Sequence, residues 1–172
     1  MLKVRFAVAS LGFAMILPTV PALWAQTAEA PAAPLPSQIV TAKRVFISNA
    51  GGELYPGFWS GGPSRTYNEF YAAIKSWGRY ELVAAPADAD LVLQISYADP
   101  IMLVASGSSV NFLQFRLELI DPKTHIVLWT INEQAKAMGG LQKGRDKEFE
   151  GALNKLVDDL KALTAQPAAA AK

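Results

Sequence analysis

The sequence predicts an α+β fold: a two-layer sandwich in which two helices cover one face of a mixed sheet of about five strands, in the order β-α-β-β-β-β-α. Three observations predict it. Leu113, Phe115, Leu117 and Leu119 alternate with Gln114, Arg116 and Glu118, the period of a strand with one packed face and one wet face. Phe149, Leu153, Leu156, Leu160 and Leu163 recur at alternating steps of four and three, the stripe of an amphipathic helix. The remaining strand-like segments cluster after a single helical crossover, which points away from a doubly wound sheet.

Taken in order, residues 43–48 (KRVFIS) are a β-branched run that suits a covered strand. Residues 49–64 (NAGGELYPGFWSGGPS) hold five glycines and two prolines without a period, so a long loop is expected. A helix follows over 66–77. Thr66 with Glu69 has the spacing of a capping box, Tyr67, Phe70, Tyr71, Ile74 and Trp77 share one face, and Gly78 supplies the stop. A short strand over 80–83 and the connection 84–88 (AAPAD) lead into three successive strands between Ala89 and Asn132. The last two are joined through Asp121-Pro122-Lys123-Thr124, where proline presets the turn and the aspartate can accept a hydrogen bond from further along the chain.

The ends read differently from the middle. Residues 1–25 have the layout of a secretory signal peptide: Lys3 and Arg5, an apolar centre, then small residues with cleavage expected after Ala22 or Ala25. A retained anchor is the alternative, which Pro18 and the shortness of the apolar run oppose. Residues 26–38 are an Ala/Pro-rich linker, 39–163 the single α+β domain, and 164–172 a tail, with disorder expected at both flanks. Without the leader, sixteen basic residues become fourteen against fifteen acidic ones, a net charge of −1. That balance gives no reason to expect a nucleic-acid partner. Cysteine is absent, which excludes a disulfide scaffold and a lipid-bearing cysteine. The expectation is a periplasmic or secreted protein with no stable membrane span once the leader is removed.

ADLVLQISY (residues 89–97), LELIDPKTHIVLWT (residues 117–130) and a closing amphipathic helix together resemble a family of bacterial envelope proteins, many of them lipoproteins, of unknown function. Ala89-Asp90, Asp121, Thr124 and Trp129 carry the resemblance. The layout is also similar to the amino-terminal domain of the Tol-system propeller protein and to the curli-secretion lipoprotein. What the resemblance implies is a small module that docks on envelope partners. The chain departs from the pattern in lacking the lipid-bearing cysteine and in the length of the loop after residue 50.

No motif for chemistry stands out. His125 is the sole histidine, and no GxSxG elbow accompanies it, so a solvated turn residue is the simpler reading. Asp88 and Asp90 read as caps before a strand rather than metal ligands, and Asp158-Asp159 as an outward helix face. The glycine stretches near Gly61 and Gly139 lack the phosphate-loop spacing. Lys143, Arg145 and Lys147 near the last helix start are interleaved with Asp146, Glu148 and Glu150.

No cofactor and no metal is therefore expected, and the candidate binding residues are apolar. Tyr55, Phe58 and Trp59 sit among glycines and either fold back over the sheet or contact a protein or cell-wall glycan. Ile101, Met102 and Leu103 lie in PIMLVASGSS, most simply a hairpin extension and otherwise an apolar contact arm. An open sheet edge is a third recognition surface. The expected role is a binding or assembly module; the alternatives are a small hydrolase with a dispersed site and a structural or stress protein without ligand.

Overall fold

The computed structural model describes residues 33–53, 59–98, 101–103, 109–111, 113–135 and 141–166. Its elements are α1 (Ser37–Thr41), β1 (Arg44–Glu53), α2 (Arg65–Trp77), β2 (Glu81–Leu82), a 3-10 turn (Pro86–Asp88), β3 (Leu91–Ala98), β4 (Ile101–Leu103), β5 (Ser109–Asn111), β6 (Leu113–Ile120), β7 (Val127–Ala135) and α3 (Gln142–Thr164). Five strands form one mixed sheet in the order β2-β1-β3-β6-β7, and the helices lie on one side of it. β1 runs parallel to both β2 and β3, and the β3-β6-β7 run is antiparallel. A parallel neighbour needs a crossover, and α2 provides it between β1 and β2.

The register sorts the side chains by face. On the helix side, Ile47, Leu93, Leu119 and Trp129 form one cross-strand row, and Ile95, Leu117 and Ile131 form the next. Against them α2 buries Phe70 and Ile74, while α3 buries Phe149, Leu153, Leu156, Val157, Leu160 and Leu163. Each fully buried Leu, Ile or Phe contributes about 1.5–3 kcal/mol relative to exposure, so this layer holds the fold. The other face is mixed: Phe46, Val92, Ile120 and Val127 make one apolar row, followed by Ser48, Gln94, Glu118 and Thr130.

Several local expectations need correction. The sheet does not end at Ser48, because β1 continues to Glu53 through a bulge between Asn49 and Gly51. Gly52 permits this: at φ 147°, a Cβ there would lie 1.9 Å from the Tyr97 carbonyl oxygen. The capping box does not form. Ser64 holds the N-cap position of α2 without a side-chain bond, Thr66 is buried inside the first turn, and Glu69 pairs with Arg65 instead. Gly78 ends the helix in the left-handed conformation, as its position predicts.

α3 begins at Gln142, well before its apolar stripe, and its first turns are polar, with Gln142, Arg145 and Asp146 half-buried. At the other end of the chain, Leu35, within the stretch read as linker, is buried, and the helix Ser37–Thr41 spans the expected boundary between linker and domain. β4 and β5 pair antiparallel, the hairpin arm expected between the central strands.

Candidate functional site

The Asp121 turn forms as predicted. One Asp121 carboxylate oxygen accepts the Lys123 N–H at 3.0 Å, and the other accepts the Thr124 hydroxyl at 2.7 Å. These bonds, led by the Lys123 amide, lower the carboxyl's pKa against a small opposing burial effect. His125 is exposed at φ 59°, where the chain leaves the turn. Asp90 accepts the N–H groups of Lys43 at 3.1 Å and Arg44 at 2.9 Å, fastening the start of β1 beside β3. Around these two carboxylates, Gln38, Lys43, Arg44, Pro122 and Lys123 line an open polar groove of about 560 Å³. Among the described residues, no group of three or more His, Asp or Glu side chains could hold a metal ion.

Of the aromatic loop, only Trp59 lies among the described residues; Tyr55 and Phe58 lie outside them. Trp59 is buried and its ring centroid is 5.9 Å from that of Phe149, so this indole packs into the core. Ile101, Met102 and Leu103 form β4, which pairs with β5 in a separate two-stranded sheet.

Arg65 organises the region behind Trp59, and the sequence did not single it out. Its guanidinium donates to Glu69 at 2.6 Å, to Asp146 at 2.8 Å and to Glu150 at 3.4 Å, and also to the Ser60 carbonyl and hydroxyl oxygens. Burial works against the charged form of Asp146. Hydrogen bonds from the Ser60 hydroxyl, Arg65, the Ser60 N–H and Gln142 outweigh it and hold the carboxyl at about 2. This cluster ties the two helices and the loop together.

The β7 edge is different. In the sheet order β7 is terminal, so its outer N–H and C=O groups have no strand beside them among the described residues. Edge strands are commonly blunted by lysine, proline or brevity. Val127–Ala135 is nine residues long, has no proline or basic residue, and carries one charge, Glu133. By contrast, the opposite edge strand β2 has two residues.

Alongside this edge runs a groove of about 320 Å³, lined by Trp129, Thr130, Ile131 and Asn132 of β7 and by Asp159, Ala162, Leu163 and Gln166 from the end of α3 and just beyond. Lys155 stands at one end of it, hydrogen-bonded to Glu133 and, at 3.3 Å, to Asp159. The bond to Glu133 is the main reason the ammonium's pKa is raised. Trp129 and Ile131 pack partly against the core and complete an apolar floor. An unpaired edge beside a trough with both apolar and polar walls is an arrangement by which extended peptides are held.

No family model and no curated protein matches the chain. Solved structures do overlap it. A PelC dodecamer from Paraburkholderia phytofirmans matches at 16% identity and a TM-score of 0.45, covering 76% of this chain and 92% of that one. Protein XCC0632 from Xanthomonas campestris matches at 15% identity and a TM-score of 0.46, covering 76% and 85%. Lipoprotein GNA1162 from Neisseria meningitidis matches at 13% identity and a TM-score of 0.38, covering 67% and 99%. These are likenesses of backbone path at low identity and assign no role to this chain. None of the three is the Tol-system or curli-secretion protein.

Proposed function

We propose that this chain is an exported bacterial-envelope protein and a non-catalytic binding or assembly module, which holds a protein partner by taking an extended segment of that partner onto the β7 edge. The leader-like residues 1–25 and the resemblance carried by Ala89-Asp90, Asp121, Thr124 and Trp129 support the envelope assignment. One observation supports the binding mode above all: a nine-residue edge strand without proline, lysine or arginine lies beside a groove of mixed polarity under α3. Main-chain bonds to β7 supply affinity there, and side chains entering the groove supply selectivity.

Of the three recognition surfaces expected from the sequence, this is the one for which backbone and side-chain geometry are both in view. Photo-crosslinking in the native host from a reactive residue placed at Asn132 tests it. Adducts are expected from Asn132, and they are lost when Ala162→Trp fills the groove. Adducts from a probe at Lys75 on α2, unaffected by Ala162→Trp, contradict the reading.

A further inference from the structure

We infer that the segment accepted at β7 comes from a different protein and presents a lysine or arginine two residues from an apolar side chain, with a second apolar side chain two residues beyond. This deepens the strand-addition reading and rests on it. A strand laid beside β7 turns every second side chain toward α3, level in turn with Trp129, Ile131 and Glu133. Beside Trp129 and Ile131 the helix side of the groove offers Ala162 and Leu163, flanked in sequence by Asp159 and Gln166, so those two positions take apolar groups.

The third position faces another environment. Glu133 and Asp159 share one ammonium, that of Lys155, which leaves a carboxylate in excess. The Glu133 side chain is only 14% exposed, so water compensates that excess poorly, and an incoming basic group completes it. Thr130 and Asn132, which alternate with Trp129 and Ile131 and border the groove at the strand edge, are polar, as is Gln134, so the intervening residues of the guest meet polar side chains.

Charge also decides against a second copy. Val127–Ala135 contains no lysine or arginine, so a second β7 edge would bring another Glu133, Asp159 and Lys155 set and double the carboxylate excess rather than relieve it. Such a pairing sets two carboxylate-rich grooves against one another.

The test uses the full chain and capped octapeptides in which threonine alternates with valine, one terminal valine being replaced by lysine or by glutamate. Calorimetric titration at low salt should show the lysine peptide binding about tenfold more tightly than the glutamate peptide, with the gap closing at high salt. Lys155→Ala should widen the gap and Glu133→Gln should narrow it. N-methylation of alternate amides along the β7-facing side should abolish binding of both peptides.

Equal affinity of the two peptides, with N-methylation still abolishing binding, overturns the basic-residue inference and leaves strand addition standing. Failure of every peptide to bind, or binding indifferent to N-methylation, overturns the strand-addition reading itself. A chain that sediments as a dimer and excludes every peptide makes the second copy the occupant and overturns the inference.

Discussion

The guanidinium carbon of Arg65 stands 4.0 Å from the centroid of the Phe149 ring, so the cation that gathers three carboxylates also caps the aromatic centre of the core. Phe149 in turn meets Phe115 edge-on at 4.9 Å and Trp59 at 5.9 Å. Through these contacts α2, α3, β6 and the loop at residue 59 are held as one packed unit, and α3 is fixed against β7 where the groove lies.

Acid should loosen this unit. The Asp146 carboxyl sits at about 2, below its unfolded value, so its contribution is complete above the ordinary carboxylate range and is lost as pH falls toward 2. Urea denaturation over that fall in pH should show the decline, and Asp146→Asn should lower stability at neutral pH while flattening this part of the profile.

Trp59 should behave as a core residue. Trp59→Ala and Phe149→Ala are each expected to cost about 3–5 kcal/mol of stability, as large aromatic deletions from a packed core do. Equilibrium denaturation checks this; a Trp59→Ala chain with unchanged stability would return the indole to the surface.

Gly52→Ala should be among the most damaging small changes in the chain. The added methyl meets the Tyr97 carbonyl at a backbone angle that L-residues rarely adopt, and relief requires β1 to separate from β3. A loss of about 3 kcal/mol or more is expected. Gly151→Ala, with open space around the position, should be neutral or mildly stabilising.

At His125 the sign reverses. Its left-handed angle is better tolerated by asparagine or glycine, so His125→Asn should stabilise the turn by about 0.5 kcal/mol. Thermal denaturation resolves a shift of that size. An appreciable loss would mean that the imidazole makes a contribution beyond the turn.

Much of the fold was written in local pattern. The alternation in β6, the stripe of α3, the Asp121 turn and the stop at Gly78 each depend on neighbours a few residues away, and each formed as predicted. Arg65 was not visible because its partners come from both its own helix, at Glu69, and from α3, some eighty residues on. The Thr66–Glu69 spacing misled because Arg65 claims the Glu69 carboxylate and Thr66 lies inside the helix.

The groove was hidden for a related reason. Trp129 and Ile131 alternate with Thr130 and Asn132 in the sequence, but whether their strand is central or terminal depends on β1 pairing beside β3, which no local signal encodes. Asp159 read as an ordinary outward charge, and only its position beside β7 makes it part of a site.

Amide hydrogen exchange along Val127–Ala135, in the full chain with and without a saturating lysine octapeptide, bears most directly on strand addition. Added protection should fall on alternate β7 amides, since only every second N–H points away from β6. Protection on α2 or across the outer sheet face, with the β7 amides exchanging as before, would contradict it.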